Sequence, residues 1–287
     1  MRAVAGQPCT VTVEMTVGDE VAAFSTAPTV TVTSDVGVVY TAPTATLGAY
    51  GWSATFTPTD VDHLVVKFSG TSSGGFVSTA SKDVQVVGSR YFTIPELRRR
   101  ADMADTGRYP TPLLAEARDW IEQLIETTCT TSFVERFAQD RITANAAHHR
   151  PDVGRVLRLN TDWPSRLIKF TIDGATASNT GLVCDRRGFL WSSSWVSTWV
   201  GWDFVVSYSA GYTLRCPDDL HDAAIQAARF WLLQRASSGI PDRTRSITNE
   251  FGNVSLSVAG VNAPTGIPDV DSVILAWRDR SFSPGIS

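Results

Sequence analysis

Val84-Gln85-Val86-Val87-Gly88-Ser89-Arg90-Tyr91-Phe92-Thr93-Ile94-Pro95-Glu96-Leu97-Arg98 is where the chain changes character. Up to Gly88 apolar residues alternate with period two. Past it, Thr93-Ile94-Pro95-Glu96 is a capping box: the threonine hydroxyl accepts from a first-turn N–H, and the glutamate reaches back to the cap. Pro95 stands early, where a missing N–H costs nothing. The switch from strand to helix period predicts an α+β chain of two domains, residues 1–88 and residues 89–287.

Upstream of the switch, Thr10–Val17 reads TVTVEMTV, Thr29–Thr33 reads TVTVT, Trp52–Thr57 reads WSATFT and Leu64–Phe68 reads LVVKF. Turn residues separate them: Gly18-Asp19, Asp35 to Gly37, Gly48 to Gly51, and Gly70 to Gly75. Short strands at this spacing, with no helical pattern among them, predict an antiparallel sandwich, and the length suits one immunoglobulin-like module.

Downstream, the first helix is predicted over about 93–105, ending at Gly107. A second, over about 112–128, carries Leu113, Ala117, Trp120, Ile121, Leu124 and Ile125 at three- and four-residue steps. Residues 132–213 return to strand patterns, with Asp173-Gly174 as a hairpin turn. Cys216-Pro217-Asp218-Asp219 opens a third helix, about 217–237, with two acids at its positive dipole end. A last helix is predicted over about 269–279, with Val270, Val273, Ile274 and Trp277 on one face.

The 287 residues are 43% hydrophobic but only 19% charged. That is enough apolar material for buried cores, and a charge content low enough to suit surfaces covered by other chains. Residues 1–89 hold seven acidic and three basic side chains, and residues 90–287 hold equal numbers of each. No segment has the bulk charge of a nucleic-acid-binding module. Cys9, Cys129, Cys184 and Cys216 lie far apart without a C-x-x-C pair, so they fit neither a zinc site nor a disulfide framework and are read as reduced thiols. No secretion signal or membrane span is visible, which predicts synthesis in the cytoplasm.

Several segments between Arg90 and Ser287 resemble the head-to-tail adaptor (connector) family of tailed bacteriophages. Tyr91-Phe92-Thr93-Ile94-Pro95-Glu96-Leu97 is similar to the opening F-x-T-x-x-E-L of such adaptors, and Ala117-Arg118 with Ile121-Glu122 to their A-R-x-x-I-E helix. Trp163-Pro164-Ser165-Arg166-Leu167-Ile168, leading to Asp173-Gly174, resembles their P-x-R-x-I … DG element. Val205 to Tyr212, followed by Pro217-Asp218-Asp219-Leu220 and Ala223-Ala224, resembles the V-x-Y-x-x-G-Y … P-x-D-L-x-x-A junction before their long helix. Thr265-Gly266-Ile267-Pro268 and Ile274 to Arg280 resemble the terminal segment. It is their shared order that is specific.

The resemblance implies a structural virion protein located at the neck and made in the host cytoplasm. It would form a homo-oligomeric ring of about a dozen copies between the portal protein and a stopper or other tail protein. DNA would pass through the ring without sequence-specific binding. No membrane, cofactor, metal or catalytic chemistry is implied. The immunoglobulin-like segment is an addition to the minimal family.

Under that reading the candidate interface residues are Trp120 and Ile121 on the second helix, Phe230 and Trp231 on the third, and Trp277, Arg278 and Arg280 on the last. Arg98, Arg99 and Arg100 form a basic run that would face DNA or the portal, against the plainer reading of a solvated helix face. Trp191, Trp195, Trp199 and Trp202 are read as a packing cluster, with a sugar-stacking platform as the alternative. That alternative makes the chain a carbohydrate-binding or adhesive β-protein, while another neck role, stopper or tail terminator, stays within the same class. His148-His149 with Asp152 lack a second ligand group at metal-site spacing. No G-x-S-x-G, H-E-x-x-H or Walker-type loop occurs, so the chain is read as a non-enzyme.

Overall fold

The computed structural model describes residues 1–282 apart from 19, 22, 25, 144–148, 151–153, 162, 193–201, 212–215, 237–245, 250–251 and 256–262. The chain divides into two compact units, Met1–Ser89 with Val134–Thr213, and Arg90–Phe133 with Leu214–Ser287. The expected boundary at residue 88 leaves 134–213 with the helices. Strand pairing instead joins that segment to the N-terminal strands.

In the first 89 residues the strands are β1 (Arg2–Val4), β2 (Cys9–Val13), β3 (Thr16–Val17), β4 (Glu20–Val21), β5 (Thr29–Ser34), β6 (Thr46–Gly48), β7 (Gly51–Phe56), β8 (Asp62–Thr71) and β9 (Val77–Val87). Residues 134–213 add β10 (Arg136–Thr143), β11 (His149–Arg150), β12 (Gly154–Arg155), β13 (Leu157–Arg158), β14 (Pro164–Ile172), β15 (Ala175–Ala177), β16 (Leu182–Cys184), β17 (Phe189–Ser192) and β18 (Asp203–Ala210). The main sheet runs β15-β14-β18-β10-β9-β8-β5, with β1 parallel to the end of β9. Its two halves meet where Arg136 of β10 pairs with Val87 of β9.

Each half keeps its own core. In β2, Cys9, Val11 and Val13 point inward while Thr10 and Thr12 face out, as period two requires. These join Ala54 and Phe56 of β7 and pack against Val30, Leu64, Val66, Phe68, Val84 and Val86 of the main sheet. Each Val, Leu or Phe among them contributes about 1.5–3 kcal/mol by burial. The second core gathers Leu157, Leu159, Phe170, Leu190, Phe204, Val206 and Tyr208. Asp173 and Gly174 both have positive φ, 48° and 81°, the pair a type I′ turn needs between β14 and β15. Arg166 of β14 clasps both carboxylate oxygens of Asp60 at 2.6 Å, bracing the loop after β7.

The second unit holds α1 (Ile94–Arg98), α2 (Thr111–Cys129), α3 (Asp218–Ala236) and α4 (Pro268–Phe282), with a hairpin of β19 (Ser246–Asn249) and β20 (Gly252–Ser255). The capping box at Thr93 and Glu96 is formed. The first helix, however, ends at Arg98 rather than near 105, and a 3-10 turn follows at Ala101–Met103. Leu97 and Met103 are both fully buried. Six residues apart on one α-helix they would diverge by about 120°, so the break lets both reach the core. After α2 the first strand begins at Arg136, and the Phe133 N–H ahead of it is taken by the Tyr91 hydroxyl.

Candidate assembly surfaces

The helical unit is organised around a buried ion pair. Arg90 donates to Asp119 and to Glu122, both at 2.7 Å, and Glu122 also accepts the Tyr91 backbone N–H at 3.1 Å. The Arg90 side chain is 7% exposed and that of Glu122 0%. Tyr91 lies in the same core, and burial, with Glu126 nearby, drives its phenol well above its ordinary value. Its oxygen accepts from the Phe133 N–H at 3.2 Å, and Ser132 donates to Glu126 at 2.9 Å. Residues 90–91 therefore hold the middle of α2, at Asp119 and Glu122, and the segment past its end, at Phe133.

α2 and α3 meet through Trp120 and Trp231, whose rings stack at 5.8 Å between centroids. The Arg235 guanidinium covers the Trp231 face at 4.3 Å and bonds Glu116 at 2.8 Å. Ile121, by contrast, is fully buried and belongs to the body of the unit. Phe230 is half-buried and, with Ile225, Leu233 and Ile267, floors a groove of about 380 Å³ edged by Arg100 and Arg229. Both arginines already face acids, Arg229 on Asp102 and Arg100 on Asp222 at 3.7 Å, so the edge is close to neutral.

On α4, Trp277 packs edge-on against Phe133 with centroids 5.3 Å apart and donates its indole N–H to Asp219 at 2.9 Å. Arg278 is half-buried near Cys129, whose thiol burial pushes up to about 12 although Arg278 pulls it down. The side chain of Arg280 lies outside the described residues. Asp271, nearly buried, accepts from both the Thr265 N–H and hydroxyl, tying the start of α4 to the segment before it.

The basic run separates into unlike residues. Arg98 is held within the unit, donating to the carbonyls of Met103 and Tyr109 and to the Thr111 hydroxyl at 3.1–3.3 Å. Arg99 and Arg100 are exposed. Of the tryptophan cluster, Trp191 sits in β17 opposite Val183, and Trp202 packs against Phe204 at 6.4 Å. Trp195, Trp199, His148 and Asp152 lie outside the described residues. Among the described residues no group of His, Cys, Asp and Glu is placed to hold a metal ion, and no helix is long and apolar enough to cross a membrane.

Arg118, part of the A-R-x-x-I-E stretch, has a setting that the motif alone does not disclose. It falls on the buried stripe of α2, four residues after Leu114 and three before Ile121, with its Nε shielded from solvent and unbonded. The signal was present: a cation at a core position of an amphipathic helix.

No family model matches the sequence, and no curated protein does. Among solved structures, the chain is similar to one from the neck of an empty gene transfer agent particle computed with C6 symmetry. The two share 17% identity at a TM-score of 0.40, over 66% of this chain and 89% of the other. A likeness of that degree says nothing of what this chain does.

Proposed function

We propose that the chain is a structural neck protein of a tailed-phage-type particle, an adaptor that forms a homo-oligomeric ring between portal and tail around the DNA channel. It acts through complementary surfaces rather than catalysis. One observation carries the reading: the segments that resemble the adaptor family, far apart in sequence, are the ones that hold the helical unit together. Tyr91 is bonded to Glu122 of the A-R-x-x-I-E stretch, and Asp219 of the Pro-Asp-Asp-Leu turn to Trp277 of the terminal segment. Residues 1–88, with a core of their own, are an added immunoglobulin-like module under this reading. The half-buried Trp120, Phe230, Trp231 and Arg278, together with Arg99 and Arg100, are the candidate contacts to neighbouring copies, portal or DNA.

Quantitative mass spectrometry of purified particles tests this. A copy number equal to that of the portal protein is the expected result. Hundreds of copies would make it a tube or decoration protein, and absence from particles would end the neck reading.

A further inference from the structure

Arg118 is a cation on the apolar face of α2. Leu114, Ile121 and Ile125, which share its face of α2, are fully buried. Among the described residues its guanidinium forms no hydrogen bond or ion pair. Burial depresses its pKa, and the Arg90 charge opposes it further. Glu122 and Asp119 attract it, but both are already bonded to Arg90 at 2.7 Å. A guanidinium does not lose its proton, and here only Nε is shielded while the side chain is partly exposed, so the charge stays within reach of an acceptor from outside the chain. The acceptor that fits its planar fork is a carboxylate.

We propose that Arg118 takes a carboxylate from a second copy of this chain, presented by Glu14 or Glu20. The acidic surplus of the chain lies entirely in residues 1–89, seven acids against three bases. Within that segment Asp35 and Asp83 face His63, Asp60 is held by Arg166, and Asp62 is buried. Among the described residues Glu14 and Glu20 are the exposed carboxylates there with no partner.

These two acids lie on and just before the short β3–β4 hairpin. Thr16 pairs with Val21, the Ser78 hydroxyl donates to the Thr16 carbonyl at 2.8 Å, and Gly51 passes close to Val13 and Glu14. Val21, Tyr50 and Val77, next in sequence to Glu20, Gly51 and Ser78, are all strongly exposed, Tyr50 at 90%. An apolar surface carrying carboxylates complements a cation set in an apolar helix face. Because two different patches meet, the contact is heterologous, the kind that closes rings. The proposal rests on the oligomeric part of the function above, not on the place of the ring in a particle.

Sedimentation of the purified full chain over a range of concentrations, with melting curves alongside, tests it. Arg118→Met is expected to melt no lower than the parent, since no internal bond is lost, and to weaken self-association by about tenfold or more. Arg118→Glu abolishes association, and combining it with Glu14→Arg and Glu20→Arg restores it. A lower melting temperature for Arg118→Met with association unchanged would overturn the proposal by making Arg118 an internal residue. So would a charge swap that fails to rescue, or a parent chain that stays monomeric throughout. These readings are independent of copy number in particles, so failure of this contact is distinguishable from failure of the neck assignment.

Discussion

Trp277 of α4 donates its indole N–H to one carboxylate oxygen of Asp219, while the other oxygen accepts the Leu220 N–H at 2.9 Å. A residue in the first turn of α3 thus fixes the last helix, across 58 positions of sequence. The indole also rests against Phe133, so its role divides into a bond and a packing contribution. Trp277→Phe keeps most of the ring and removes the donor, and is expected to cost about 1 kcal/mol in urea denaturation. Trp277→Ala removes both and should cost about 3 kcal/mol. Unchanged stability in Trp277→Ala, with loss of incorporation into particles, would instead give the side chain to a partner.

Glu122 and Arg90 form a different kind of link, with both charges out of water. Removing Arg90 leaves Glu122 buried without its counter-charge, whereas removing Glu122 leaves Arg90 with Asp119 alone and frees the Tyr91 N–H that Glu122 holds. Glu122→Gln is expected to destabilise the chain by about 3 kcal/mol. Arg90→Met combined with Glu122→Gln should cost less than the sum of the two single changes, because the stranded charge disappears. A double-mutant cycle by equilibrium denaturation measures this, and simple additivity would mean the pair is not coupled.

Two carboxylates give opposite pH dependences in the two units. The Thr93 N–H, as the strongest influence, holds Glu96 below its ordinary 4.5. The unfolded chain then binds the proton more tightly, so this contribution is present above 4.5 and is lost as pH falls through the lower folded value. Asp62 is raised above its ordinary 3.8, chiefly by burial. Here the folded chain binds the proton more tightly, so stability falls as pH rises from 3.8 through the raised value. Melting temperatures across the acid range should show a weaker acid-side loss in Glu96→Gln and a weaker decline above 3.8 in Asp62→Asn. Identical slopes in parent and variants would contradict both assignments.

What the sequence disclosed was local chemistry. The capping box at Thr93 and Glu96, the acids at the head of α3 and the Asp173-Gly174 turn are each decided within a few residues, and each is visible as a string of letters. Pairing between distant segments is not. That β10 extends the sheet of β9 depends on Arg136 meeting Val87, 49 positions away, which no period or turn residue announces. Trp120 on Trp231 and Arg90 on Glu122 are likewise products of tertiary packing. The early end of α1 shows tertiary packing overriding a helical pattern, since burial of Met103 outweighs continuation past Arg98.

Gly51 allows a last prediction, in which two glycines with positive φ serve as each other's control. At Gly51, where φ is +113°, an added Cβ would run into the Val13 carbonyl oxygen and stand 3.3 Å from the Glu14 Cα. At Gly174, with φ +81°, a Cβ would meet nothing within 4 Å. The two alanine variants share the conformational penalty of a left-handed backbone, about 1–2 kcal/mol. Only Gly51→Ala adds a collision with backbone, which cannot rotate away as a side chain would. Its cost should therefore exceed that of Gly174→Ala by about 1–3 kcal/mol in equilibrium denaturation. Equal costs would mean that β2 and β7 can part at this point without loss, and that the close crossing beside Glu14 and Tyr50 is not what sets the shape of that end.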